Sequence, residues 1–277
     1  MEKLQCIIKN ESASLRAREL AGSCLWHYSE LNFQRKKAAK HGILDCVTYM
    51  ISSNQTSLIN KSLGILWGFL EYDDFQKQSI SLGIITHLVG LLGYDKYDQV
   101  NVIGCLFSIS SNAKCRSHLT QIVSPLIEYY NPEDDIDQLY LTCLTLANLF
   151  NDKNLNLHES DLVKTKGIIA NFLSTHTPQE MRACEEENHY IWISFVPFLD
   201  LTFSEDPQIQ QLGLFSLANI TSSDINRETI QKNGIGDDVL AASLYIDHPY
   251  SQIILNNYKH FTTPSLKATI LRKFPNL

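Results

Sequence analysis

The sequence predicts an all-α chain built as an array of stacked helical repeats, and three observations carry that expectation. Large side chains recur at a long, nearly constant period. A glycine-led apolar stretch recurs in a second register. Helix-start signals are spread along the chain, whereas segments that alternate apolar and polar residues between turn dipeptides are missing.

The first pattern is a large residue, a small or polar one, then a second large one. It occurs at Trp26-His27-Tyr28, Trp67-Gly68-Phe69, Phe107-Ser108-Ile109, Leu144-Thr145-Leu146 and Phe215-Ser216-Leu217. The leading residues are 41, 40, 37 and 71 positions apart. The first three intervals sit near the period of roughly 40 residues typical of helical repeats. The fourth is close to two shortened repeats, which places one interrupted unit in between.

The second pattern is seen in Gly42-Ile43-Leu44-Asp45-Cys46-Val47, Gly83-Ile84-Ile85-Thr86-His87-Leu88-Val89 and Gly167-Ile168-Ile169-Ala170-Asn171-Phe172-Leu173. Gly234-Ile235 begins a weaker copy, and Gln121-Ile122-Val123-Ser124-Pro125-Leu126-Ile127 matches without the glycine. A glycine between two short helices permits a left-handed backbone and a sharp turn, because it has no Cβ. Helix starts are marked by Thr177-Pro178-Gln179-Glu180, Asp206-Pro207 and Thr263-Pro264, each a capping residue followed by a first-turn proline. Pro197 kinks or starts a helix, since it has no N–H to donate.

These signals give one continuous domain, 1–277, with no linker or low-complexity tract. A leading third helix spans about 12–30, and repeats follow at 33–71, 75–112 and 114–151. An irregular repeat covers 158–203 and a third helix 206–222. A terminal stretch from 226 ends in a cap over about 248–277.

Composition narrows the function. Hydrophobic residues make up 44% and charged residues 19% of 277, which excludes a disordered chain. A net charge of −7 disfavours nucleic acid, whose phosphates need clustered Lys and Arg, and suits a basic protein partner. The seven cysteines, at 6, 24, 46, 105, 115, 143 and 184, are odd in number and form no CxxC, which reads as reduced thiols. Met1 to Cys6 has no signal-peptide core, and no apolar run approaches the about eighteen residues of a membrane span. The expectation is an intracellular protein, cytoplasmic or nuclear, with no membrane insertion. The sequons at Asn10, Asn54, Asn60 and Asn219 then stay unmodified.

Residues 75–92, containing Gly83-Ile84-Ile85-Thr86-His87-Leu88-Val89-Gly90-Leu91-Leu92, resemble an armadillo repeat. So does Leu212-Gly213-Leu214-Phe215-Ser216-Leu217-Ala218-Asn219-Ile220 followed by Ile230-Gln231-Lys232-Asn233-Gly234-Ile235. The resemblance runs from about 12 to 260, with HEAT repeats the nearest structural rival. It implies a right-handed superhelical solenoid of about five to six armadillo-like repeats, with third helices lining a concave groove. Some armadillo proteins place a Trp-x-x-x-Asn pair there, the asparagine bonding the main chain of an extended peptide. Here Trp26 and Trp67 are followed by Glu30 and Glu71, Phe107 by Ser111, Leu144 by Asn148, and Phe215 by Asn219, so no repeat carries the full pair.

The partner-binding candidates are therefore Trp26, Glu30, Trp67, Glu71, Phe107, Ser111, Asn148, Phe215 and Asn219. They would hold an extended or helical segment bearing Lys or Arg beside aromatic contacts. The competing reading is that the aromatics fill the packing between repeats.

The expected function is a non-catalytic scaffold or adaptor, as an assembly factor or complex subunit. The alternatives are a transport-receptor-like binder of basic signal peptides and a small-molecule-binding regulator, for which Arg16, Arg18, Arg116 and Arg182 are too dispersed to form a pocket. No GxSxG, GxGxxG or P-loop motif indicates an enzyme. No cofactor or metal is expected: Cys184 and His189 lack further ligands, and the acidic loop Glu133-Asp134-Asp135 with Asp137 lacks the glycine and final glutamate of a calcium loop. Arg35, Lys36, Lys37 and Lys40 read as a solvated helix face. The sequence sets no oligomeric state.

Overall fold

Some helices begin where a polar side chain closes the first turn, and others follow a left-handed glycine. In the computed structural model, residues 1–30, 41–178, 196–232 and 234–258 are described, and every regular element among them is helical. Residues 1–134 with 154–157 form one compact unit, and residues 135–153 with those from 158 onward form a second.

The first unit contains α1 (Glu2–Lys9), α2 (Leu15–Glu30), α3 (Ile43–Ile51), α4 (Thr56–Phe69), α5 (Asp73–Ser81), α6 (Ile84–Val89), α7 (Gln99–Ser110), α8 (Ala113–Arg116) and α9 (Val123–Tyr129). The second contains α10 (Ile136–Phe150), α11 (Glu159–Thr175), α12 (Val196–Thr202), α13 (Pro207–Ile220), α14 (Asp224–Lys232), α15 (Gly236–Tyr245) and α16 (Pro249–Asn257). The expected repeat 114–151 thus gives α8 and α9 to the first unit and α10 to the second.

The third helices α7, α10 and α13 start on side-chain caps. Asp98 accepts the Asn101 N–H at 3.1 Å, Asp135 accepts that of Asp137 at 3.0 Å, and Asp206 accepts those of Gln208 and Ile209 at 3.0 and 3.3 Å. Each bond satisfies an amide that the helix itself leaves unpaired. Pro207 occupies the first turn of α13 as expected, and Pro197 lies on the described part of α12, next to residues 179–195. The starts expected at Thr177-Pro178 and Thr263-Pro264 lead into residues 179–195 and 259–277, which lie outside the described residues. So do Arg35, Lys36, Lys37, Lys40, Arg182, Cys184 and His189.

Glycine makes the sharp turn before three of the second or third-layer segments. Gly42, Gly83 and Gly234 have φ of 62°, 70° and 73°, left-handed values that a side chain resists. Gly167 departs from the expectation. It lies inside the 17-residue α11, without a positive φ, and an added Cβ there would meet nothing within 4 Å. The irregular repeat therefore begins with one continuous helix where two short ones were expected. Past α13 the helices α14, α15 and α16 follow in the order of a further three-helix repeat, with α16 alone reaching into the stretch from 248.

In the first unit the third helices approach very closely. A Cβ on Gly104 would lie 2.5 Å from Cε2 of Trp67, and one on Gly64 would lie 2.6 Å from Cε2 of Trp26. Each indole edge thus sits against bare backbone of the following third helix. In the second unit the core is a run of aromatic rings. Tyr140 stacks on Phe172 at 5.7 Å, Phe172 meets Phe215 edge-on at 5.6 Å, and Phe215 meets Tyr250 edge-on at 5.6 Å. Such pairs add about 0.5–1.5 kcal/mol each to the area they bury.

Two outcomes follow. Alanine in a helix interior ordinarily improves on glycine by about 1 kcal/mol, but Gly104→Ala is expected to destabilise by about 1–3 kcal/mol because the rigid indole cannot yield. Urea unfolding of G104A, W67L and the double variant should give a double variant more stable than the two single losses summed. The second outcome concerns His248, whose Nδ1 accepts the Tyr250 N–H at 3.2 Å and caps α16. Burial holds its imidazole below the usual 6.5, so the folded chain resists protonation. Its stabilising contribution is complete above the unfolded value and lost as pH falls through the depressed folded one. His248→Asn keeps an acceptor without the titration, so its Tm should fall less than the wild type's between about pH 7.5 and 5.5.

Candidate functional site

The candidate residues divide sharply by burial. Trp26 on α2 is half-buried, with its indole edge on Gly64. Glu71, just beyond α4, and Ser111, the residue that ends α7, are also half-buried. Trp67 is 9% exposed, Phe107 5%, Asn148 and Asn219 1% each, and Phe215 0%. Glu30 closes α2, and its side chain lies outside the described residues. Three of the nine, Trp26, Glu71 and Ser111, are therefore accessible, all of them in the first unit. The other five described side chains are interior, which matches the competing reading of the aromatics as packing.

The five repeated segments all lie on third helices, yet they stand at two levels. Trp67 is three residues before Leu70, the end of α4 (70 − 67), and Phe107 is four before Ser111 (111 − 107). Leu144 is seven before Asn151 (151 − 144), and Phe215 is six before Thr221 (221 − 215). The difference is close to one helical turn. A large-small-large triplet recurs every turn on an apolar helix, so the spacing in sequence aligned neighbouring turns of the same face. Phe215 and Leu144 are accordingly not the counterparts of Trp67.

The expectation of an open polar face on these helices also changes. Residues 102–110, 139–149 and 212–221 are buried without interruption. A helix apolar on all sides belongs to an interior. Their hydroxyls turn inward to their own backbone: Ser62 donates to the Ile59 carbonyl at 2.6 Å, Ser108 to Gly104 at 2.8 Å, Thr145 to Leu141 at 2.7 Å and Ser216 to Leu212 at 2.8 Å. These groups are satisfied locally and offer a ligand little.

The polar side chains that matter most to this site escaped the sequence reading. Gln76 Nε2 donates to the Leu70 carbonyl at 2.8 Å and to the Ser108 carbonyl at 3.0 Å. Arg116 Nε donates to Ser110 at 2.7 Å and its Nη2 to Ser111 at 3.4 Å. Asn226 Nδ2 donates to Ile220 at 3.2 Å, and Arg227 donates to the Thr221 carbonyl. In each case a side chain six residues past a third-helix carbonyl seals it. The signal was available as a bonding side chain six or seven residues past the ends of α4, α7 and α13. The bonds also hold the residues that carry Glu71 and Ser111 in place.

The buried cysteines are held as thiols. Burial pushes the Cys46 thiol up to about 11 and raises those of Cys105, Cys115 and Cys143, so all four stay protonated thiols. Among the described residues no three of His, Cys, Asp or Glu converge as metal ligands, and no helix is long and apolar enough to cross a membrane.

No protein-family model matches the chain, and no curated protein does. Solved structures do resemble it. An engineered protein shares 19% identity at a TM-score of 0.51, covering 94% of this chain and 98% of its own. A designed armadillo repeat protein in complex with the peptide (KR)4 shares 14% identity at a TM-score of 0.51, with 93% and 98% covered. A further designed armadillo repeat protein shares 13% at a TM-score of 0.52, with 92% and 98% covered. At such identities the likeness concerns the fold. This chain has an armadillo-like, all-α repeat fold.

Proposed function

We propose that the chain is a non-catalytic scaffold that binds a segment of another protein along its third-helix face, acting as an adaptor, assembly factor or complex subunit. The observation that carries this reading is the armadillo-like fold itself, a type of array in which one designed member holds an alternating Lys-Arg peptide. A net charge of −7 suits the same kind of ligand. Contact is made through the accessible candidates Trp26, Glu71 and Ser111, with Glu30, whose side chain lies outside the described ones, kept as a candidate from the sequence alone. Trp67 and Phe107 act from behind, by packing α4 and α7, the helices that lead to Glu71 and Ser111, while Asn148, Phe215 and Asn219 are interior to the second unit.

The ligand is an extended or helical segment whose Lys or Arg side chains meet the two acids and whose stem lies on Trp26. The small-molecule alternative loses support from Arg116, whose guanidinium is committed to the Ser110 and Ser111 carbonyls. An intracellular setting, cytoplasmic or nuclear, is in keeping with the protonated interior thiols.

Selection from a random display library of about sixteen-residue peptides tests the proposal. The expected result is a family of ligands rich in Lys or Arg, with binding weakened at least about tenfold by Glu71→Arg while the helical circular dichroism is unchanged. Ligands indifferent to E71R, or none at all, would contradict the third-helix face as the partner surface.

A further inference from the structure

A second surface lies at the turns that lead from second to third helices, away from the proposed groove. In the first unit the turn after α6 reads Gly93-Tyr94-Asp95-Lys96-Tyr97-Asp98, and the turn after α9 reads Tyr129-Tyr130-Asn131-Pro132-Glu133-Asp134. These turns are neighbours in space: a Cβ on Gly93 would lie 3.8 Å from the Tyr129 ring. Tyr94 is 56% exposed, Tyr97 and Tyr129 are half-buried, and Asp95 is exposed.

The rings already hold a cation, their own. Lys96 Nζ lies 4.9 Å from the centroid of Tyr97 and 5.9 Å from that of Tyr94, and the two rings meet edge-on at 6.2 Å. This is the distance at which a ring quadrupole attracts an ammonium. Carboxylates crowd the same place. The Tyr129 hydroxyl is pushed up to about 12, first by burial and then by the charges of Asp134 and Asp95. Two more backbone bonds fix the turn: Asn60 Nδ2 donates to the Lys96 carbonyl at 3.2 Å, and the Asp98 N–H donates to Asn60 Oδ1 at 3.0 Å. The platform is thus preorganised, which lowers the ordering cost of binding.

We infer that this tyrosine-aspartate edge is a docking surface for a Lys- or Arg-bearing segment of a partner protein, whose cation takes the place of Lys96 between Tyr94 and Tyr97 with Asp95 and Asp134 as counter-charges. The exposed Tyr94 and half-buried Tyr97 supply the ring faces, the exposed Asp95 and half-buried Asp134 supply the sign, and the resident ammonium marks the seat. Lys96 then acts as an internal competitor that an incoming cation displaces. This surface does not depend on the third-helix face, since none of Trp26, Glu71 and Ser111 belongs to it.

Titration of the full chain with a labelled (Lys-Arg)4 octapeptide at low salt tests the inference. Tyr94→Ala with Tyr97→Ala should weaken binding roughly fivefold or more, and Asp95→Asn with Asp134→Asn should do the same. Lys96→Met should tighten it several-fold. Lys77→Met, an equal change of charge on the exposed part of α5, should tighten it distinctly less, which separates a freed seat from a general gain in negative charge. Glu71→Arg reports on the third-helix face and should leave the differences among the edge variants intact. Equal tightening by K96M and K77M, edge variants that bind like the wild type, or no binding at about 100 µM would overturn the inference.

Discussion

The first unit depends on how the third helices α4 and α7 end, and the second on how α13 ends. A helix leaves its last carbonyls unpaired, and here those carbonyls are buried where the chain turns into the next first helix. A polar side chain six residues further along reaches back to seal them: Gln76 on Leu70, Arg116 on Ser110, Asn226 on Ile220 and Arg227 on Thr221. Leaving such a group unsatisfied costs about 1–3 kcal/mol, comparable to a large share of a domain's net stability. Gln76 and Asn112 extend the seal into a small network, since Gln76 also reaches Ser108 and accepts a bond from Asn112 at 2.8 Å. One set of hydrogen bonds therefore joins the ends of α4 and α7 to the helices that follow them.

With their ends closed, the third helices can be apolar almost throughout. That allows the contact of Trp26 with Gly64 and of Trp67 with Gly104, and it allows the aromatic run from Tyr140 to Tyr250. It also limits what the third-helix face can offer a partner. The accessible candidates among the described residues are positions at the helix ends, Glu71 and Ser111, and the half-buried Trp26. The turns at the opposite ends of the third helices carry the tyrosines and aspartates, so both kinds of accessible surface lie at the ends of these helices and not along them.

Much of this was legible in the sequence. The all-α class, the period near forty, the third helices and the left-handed glycines at 42, 83 and 234 follow from side-chain periodicity and from the absence of a Cβ. The register of the third helices was harder to read. An apolar helix repeats its pattern every turn, so Leu144 and Phe215 pass for counterparts of Trp67 while standing one turn away. Gly167 misled for a related reason: a glycine permits a turn without requiring one, and the surrounding residues suit a helix. Burial was the least legible feature. Asn148 and Asn219 look like groove amides by type, and only packing reveals that both are interior.

The sealing of third-helix ends is tested most directly by native-state hydrogen exchange on Arg116→Met, which keeps the buried stem and removes the bonds to Ser110 and Ser111. If those bonds couple the repeats, amides in the last turn of α7, in α8 and in α5 lose protection together, by about 1.5–3 kcal/mol. Unchanged protection, or a loss confined to α8, would contradict the account.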